Sequence, residues 1–441
     1  MRSLAFSWFS VLCMLGCGGG SESNVILVND TGAPTADGSD APLGGDAVAS
    51  GDDPPTCTAD AGGGGAPSAR GDASGALDPS GRKLLVFGGD TAVVPCGATP
   101  TRNHVGDSWL LDVGCGTWRS IPGDGPGARA RQAMAVDGAG RAILFGGRTR
   151  TGTGGPYTLY ADVWAFDFAK ESWAPLDTKG SGPTPRANTA MAISIKRGKA
   201  YVFGGNTSTD GLNFLPQNDV FALDLQSGQW TTVAGGAATK PPAREFHAVA
   251  LDDDAGVLYA YSGGDADAFT GPFLDDLWAL DLAKETWSKV STTGPAPRPR
   301  IAHAMTWDAT DRRLLVFGGH DDGDVGNQND LWTIDPTQTT ATWQKSGHGD
   351  ALNKKGGPGA CSFPPDFTTI DSAAPERRQA FAFGARRDGH AFVIFGGKGD
   401  CGVLADAWWY SAGKDAWTPV ARSPVGLSCL RYSSTCSGLC G

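Results

Sequence analysis

The chain has 441 residues, of which 40% are hydrophobic and 19% charged, with a net charge of -11 and ten cysteines. Eight acidic side chains and no Lys or Arg fall between residues 18 and 66, so most of that charge belongs to a terminal stretch. The remaining body is weakly charged and has no Lys/Arg stripe, which argues against a nucleic-acid binder.

Met1 and Arg2 precede an apolar segment from Leu4 to Leu15, a secretory signal too short to span a bilayer as an ordinary helix. It ends in Met14, Leu15, Gly16 and Cys17. This order resembles the bacterial lipobox, although that family favours Leu where Met14 stands. The resemblance implies a signal peptide over residues 1–17 and lipidation of Cys17, with ordinary cleavage near Gly18 to Ser21 as the alternative. Gly18 in place of Asp implies, by the same resemblance, an outer-membrane lipoprotein on the periplasmic or surface face. Residues 18–66, made mainly of Gly, Ala, Ser, Asp, Thr and Pro, bury too little to order themselves and read as a flexible acidic tether.

From residue 67 a pattern with a period of about 57 residues repeats six times. Each unit opens with a Pro and a nearby Arg: Arg70, Arg129, Arg186, Arg244, Arg298 and Arg377. A β-branched and aromatic run follows, closed by paired glycines, as in Leu84 to Gly89 or Leu314 to Gly319. Such a run suits a strand covered on both faces. Third comes an Asp two residues before an aromatic: Asp107, Asp162, Asp219, Asp276, Asp330 and Asp406. Last is a Trp: Trp118, Trp173, Trp230, Trp287, Trp343 and Trp417.

Glycine pair, Asp-x-aromatic and trailing Trp at this spacing resemble the Kelch repeat. The resemblance implies an all-β, six-bladed β-propeller over residues 67–421, with four antiparallel strands per blade and a Cys-rich C-terminal tail over 422–441. It also implies that the recurring arginines are structural, pairing with acidic or carbonyl groups between blades. A single blade leaves both faces wet, whereas six around an axis bury them.

Strand alternation puts the loops after the glycine pairs on one face, together with the connections between blades. These loops run from 17 residues (Asp90 to Gly106) down to 8 (Lys398 to Ala405), while the turns on the opposite face are short and uniform. Variable loops on a fixed scaffold are where recognition sits. Their candidate binding residues are His104, Arg148, Arg150, Tyr157, Tyr160, Phe214, Phe269, Phe273 and His320. No cofactor is expected, although the loop from Asp321 to Asp330 is dense enough in oxygen ligands to admit calcium, without EF-hand spacing. Equivalent repeat positions make His247 and His303 structural.

Eight cysteines follow the signal, and in an exported chain they read as disulfides. Shared faces pair Cys57 with Cys96 and Cys361 with Cys401, and leave Cys115 for the tail cysteines Cys429, Cys436 and Cys440. The expectation is a lipid-anchored envelope scaffold that binds a protein or a glycan through its long loops, with the lipid as its only membrane contact. The alternative is an envelope enzyme on the same fold, a sialic-acid-type sugar mutarotase before a galactose-oxidase-like copper enzyme.

Overall fold

The computed structural model describes residues 52–58, 64–92, 101–152, 154–211, 213–268, 271–321, 326–353, 368–400 and 402–422. The signal peptide, Cys17, most of the acidic stretch, Phe269 and the cysteines at 96, 361, 401, 429, 436 and 440 lie outside the described residues.

The six repeats form six four-stranded antiparallel sheets, each from one contiguous stretch of chain, and no helix occurs among the described residues. Blade one comprises Ser74–Leu77, Lys83–Phe87, Ser108–Asp112 and Thr117–Ile121. Blade two comprises Ala133–Val136, Arg141–Phe145, Val163–Asp167 and Ser172–Pro175. Blades three to six open with Ala190–Ser194, Ala248–Asp252, Ala304–Asp308 and Ala382–Ala385. These first strands line an axial channel of about 260 Å³. The second strands are buried nearly throughout, Leu84, Leu85, Val86 and Phe87 completely, which is why that segment lacks the polar alternation of a half-buried strand.

Each recurring Trp packs on the aromatic residue ending the second strand of the preceding blade. Trp173 meets Phe87 at 5.2 Å between ring centroids, Trp230 meets Phe145 at 5.7 Å, and Trp287 meets Phe203 at 5.2 Å. Trp343 meets Tyr261 at 5.0 Å and Trp417 meets Phe317 at 4.6 Å. Trp118 of blade one closes the circle on Phe395 of blade six at 4.7 Å.

The arginines are a second inter-blade device. Arg70, Arg129, Arg186, Arg244, Arg300 and Arg378 each grip the repeat's Asp with two guanidinium nitrogens at 2.5–3.1 Å. Each also donates to the carbonyl at the first glycine position of its own blade. The same arginine's backbone carbonyl accepts the second glycine's N–H from the preceding blade at 2.8–3.0 Å. One residue thus ties two blades. Arg298 and Arg377, the arginines nearest the prolines, do not fill this place in blades five and six. They turn to Asp321 and Asp400 in the loops. Distance to the glycine carbonyl, 18 residues in five blades and 17 in blade two, sets the register better than distance to the proline.

The first glycine sits at positive φ where the neighbouring blade presses closest. A Cβ on Gly146 would lie 2.7 Å from the Arg186 carbonyl oxygen, so a side chain there requires backbone movement. In blade four Ser262 occupies this place at φ 56°. Its Oγ accepts the Arg300 backbone N–H at 2.9 Å and donates to the Leu274 carbonyl at 2.6 Å, which offsets the left-handed strain.

The N-terminal stretch and the cysteines differ from expectation. Residues 52–58 run under blades six and one on the face opposite the long loops. The Asp52 carbonyl accepts from Trp409 Nε1 at 2.8 Å and from Ser411 Oγ, Asp53 pairs with Lys414, and Cys57 is disulfide-bonded to Cys115. The expected pairing of Cys57 with Cys96 is therefore replaced by one with Cys115, which is not left for the tail. The reason is facial: Cys115 lies in the turn between the third and fourth strands, beneath the propeller, where the docked segment passes. Because residues 52–58 are docked, the expected tether does not run unbroken to residue 66.

Candidate functional site

Two residues after each tying arginine, the chain enters the propeller's axis in a left-handed conformation. These residues are Asp72, Arg131, Asn188, Phe246, Ala302 and Ala380, with φ between 52° and 61°, and none is glycine. The N–H of each donates to the carbonyl of its counterpart in the preceding blade at 2.7–3.1 Å, and Asp72 donates to Ala380. The result is a closed belt of six hydrogen bonds around the channel mouth on the long-loop face. Left-handed backbone costs a non-glycine residue about 1–2 kcal/mol, and the belt is what holds six of them there.

A second ring surrounds the first. The residue after each glycine pair bridges to the start of its blade's first strand: Asp90, Arg148, Asn206, Gly264, His320 and Lys398. The tying Arg, its Asp and the trailing Trp repeat one residue type, but these two rings do not. They are polar or charged around blades one to three and largely apolar or small around four and five.

In the polar sector, Asp72 meets Lys398 at 2.5 Å and Arg131 at 3.2 Å. Burial pushes its carboxyl up, but Arg131 and Lys398 outweigh that and hold it well below the usual range. Asp90 is engaged by Arg102 at 3.2 Å. Arg148 lies over the Tyr157 ring at 3.9 Å and Arg150 over it at 4.2 Å, while Arg131 stacks on Phe246 at 4.7 Å. Burial, reinforced by the like charge of Arg131, pushes Arg148 down to about 9. Against burial, Arg148 and the neighbouring arginines lower the Tyr157 phenol. His104 stacks on Tyr157, accepts the Arg150 backbone N–H at 3.0 Å, and is pushed down to about 4 chiefly by burial. Glu245, fully buried beside Phe246, accepts from Asn188 Nδ2 at 2.5 Å. Burial raises its carboxyl to about 7 despite Asn188, Arg131 and Arg148.

Among the described residues, Arg131 Nη1, Arg148 Nε and Nη1, Asn188 Oδ1 and Glu245 Oε1 are buried without a hydrogen-bond partner. Each such atom costs about 1–3 kcal/mol if it stays unpaired. Their concentration at one mouth marks the candidate site.

Of the residues expected on this face, His104, Arg148, Arg150 and Tyr157 come together there. Tyr160 stacks under the tying Arg129 at 3.9 Å. Phe214 and Phe273 are buried with Phe246, Ala268 and Ile301 in a small core beneath the loops. His320 bonds to Asn327 at 3.0 Å, on the far side of the mouth. Asp72, Arg131, Asn188, Glu245 and Lys398 were not read from the sequence as site residues. Their signal was available as the departure of three aligned columns from the uniformity of the tying Arg, its Asp and the trailing Trp.

Two carboxylates of the loop from Asp321 to Asp330 are taken by guanidiniums, Asp321 by Arg298 and Asp330 by Arg300, and residues 322–325 lie outside the described residues. His247 and His303 lie between blades against Phe203 and Tyr261, in the place that Gln132 and Phe381 hold in other blades. Burial lowers both, His303 to about 3. Among the described residues neither histidine belongs to a group of three or more His, Cys, Asp or Glu side chains that could hold a metal ion. On the opposite face Asp308, Asp311 and His390 lie close enough to share a cation. Their atoms are already engaged: His390 bonds Asp308 at 2.9 Å and approaches Asp52 at 3.2 Å, and Arg313 pairs with both aspartates.

The sequence matches the KLHDC2/KLHL20/DRC7 Kelch-repeats domain over residues 56–234 and 192–438. It is 31% identical over 249 residues to host cell factor 1 of Rattus norvegicus, and 30% identical to host cell factor 2 of Homo sapiens, each over 54% of this chain. The alignments span 11% and 29% of those relatives' lengths. In fold it is similar to a structure titled "Structure of YjhT", with a TM-score of 0.57 and 15% identity over 80% of this chain and 98% of the other. With the family match over most of its length, the six tied blades and the aromatic closure, this chain belongs to the Kelch-repeat family and is a six-bladed β-propeller.

Proposed function

We propose that the protein is a binding module, lipid-anchored through Cys17 to a bacterial envelope, that recognises a protein or a glycan with its long-loop face. The observation that carries this reading is the contrast between faces. The tying Arg, its Asp and the trailing Trp are the same in every blade, whereas the two rings at the loop-face mouth vary from blade to blade and hold buried polar atoms without partners among the described residues. Ligand contact explains that combination, because scaffold packing favours satisfied buried polar groups.

Two measurements test it. Cys17→Ser should move the protein from detergent-extracted membrane to the soluble fraction of the producing cell; unchanged membrane retention contradicts the anchor. On a glycan array, and in capture of envelope proteins, Tyr157→Ala should abolish a signal that the opposite-face change Lys284→Glu leaves intact. Equal loss from both changes, or from neither, contradicts the face assignment. The enzymatic alternative, a sugar-acid mutarotase, draws on one observation: Glu245 titrates near neutrality beside buried guanidiniums, as a general acid–base group does. Anomer exchange of N-acetylneuraminate faster than in buffer, and slowed by Glu245→Gln, would favour that reading.

A further inference from the structure

The sector of the mouth between blades one and four has an excess of buried cationic donors. Asp72 is already shared by Lys398 and Arg131, and Asp90 by Arg102. Neither neutralises Arg148, whose side chain is buried and whose Nε and Nη1 have no partner among the described residues. Arg131 contributes a further unpaired nitrogen, Nη1. Both guanidiniums are held flat, one against Tyr157 and the other against Phe246. Stacking fixes their planes and leaves their edges for a partner.

The adjoining wall has the opposite character. Asn188 follows Arg131 in the axial belt and its amide nitrogen is committed to Glu245. That leaves two buried oxygens, Asn188 Oδ1 and Glu245 Oε1, without donors among the described residues. A ligand that satisfies both walls must present acceptors in a plane to the guanidiniums and a hydrogen-bond donor close by to the oxygens.

We propose that the mouth binds a small carboxylate: Arg131 and Arg148 take its two oxygens, while Asn188 and Glu245 accept from a hydroxyl or amide N–H on the adjacent carbon. This deepens, and rests on, the reading of the long-loop face as the binding face. A carboxylate has the planar pair of acceptors that guanidinium edges match. A phosphate would bring a third anionic oxygen toward a mouth that already holds Asp72, Asp90 and Glu245. The same chemistry occurs in sugar acids and at the C-terminal residue of a peptide.

The test is titration calorimetry on the mature chain with N-acetylneuraminate, glucuronate and N-acetylglycine, each beside its methyl ester. At least one acid should bind at one per chain, and its ester at least tenfold more weakly. Preference for either sugar acid identifies a glycan source, and preference for N-acetylglycine a peptide terminus. Arg148→Gln should weaken binding at least tenfold, with circular dichroism showing that it is folded. Should Arg148→Gln misfold, Asn188→Gly, which suits the left-handed backbone there and removes Oδ1 together with the Nδ2 that bonds Glu245, must still lower affinity for the acid. Failure of all three acids to bind the folded wild type at about 1 mM, or binding of acid and ester alike, overturns the proposal. If that happens while Tyr157→Ala still abolishes capture of a macromolecular partner, the binding-face reading stands and only the carboxylate assignment falls.

Discussion

Replacing Asp276 by Asn separates a buried from an exposed copy of the same interaction within one molecule. Asp276 is 8% exposed and receives both Nη1 and Nη2 of Arg244, which is itself fully buried; it also accepts from Trp278 Nε1 at 2.7 Å. Asn keeps the shape but removes the charge, leaving Arg244 one amide oxygen in place of two carboxylate oxygens, beside the Pro242 and Ser262 carbonyls. An uncompensated buried charge of this kind costs about 3–5 kcal/mol. The equivalent Asp162 side chain is 40% exposed, so water screens Arg129 when the charge is lost, and Asp162→Asn should cost about 1 kcal/mol. Urea unfolding of the two variants, followed by tryptophan fluorescence, measures both. Equal losses, or a loss below about 1 kcal/mol for Asp276→Asn, would refute the view that burial of the tie sets its strength. Acid gives a related readout. Asp276, Asp330 and Asp406 are pushed up by burial but held below the usual range by their arginines. Their contribution is therefore complete above the unfolded carboxylate value of about 4 and is lost as pH falls below it.

Trp417→Ala should lower stability by about 3–5 kcal/mol, because the ring contacts Phe317, Phe392 and Tyr410; a shift of the urea midpoint too small for 1 kcal/mol would contradict the inter-blade role. Cys57→Ser should cost about 4 kcal/mol, from the 58-residue separation of the bridged cysteines and the chain-entropy relation, and peptide mapping without reductant should recover Cys57 joined to Cys115. His303 is buried with its imidazole lowered to about 3, so its neutral form is favoured by folding. Stability should be full above the unfolded value of about 6.5 and decline as pH drops toward 3; His303→Gln, by analogy with Gln132, should flatten part of that slope in pH-dependent melting curves.

Sequence periodicity determined the blades, because a strand covered on both sides must be apolar throughout and the glycine after it must accept positive φ. Those local requirements survive in any reading of Leu84 to Gly89 or Leu314 to Gly319. The structural role of the arginines was legible for the same reason, although the proline misplaced two of them where Arg298 and Arg377 compete with Arg300 and Arg378. The mouth was only half legible. His104, Arg148, Arg150 and Tyr157 lie in loops whose length draws attention, but Asp72, Arg131, Asn188 and Glu245 stand where one strand begins and resemble nothing in composition. Only closure of the ring decides that those residues, separated by about one repeat each, meet at one axis. The disulfide was decided the same way: docking of residues 52–58 beneath the propeller brings Cys57 to Cys115. Local backbone and burial rules act within a repeat, while the convergence of charges depends on the angle through which each repeat turns from the last, and that angle is set by packing between blades.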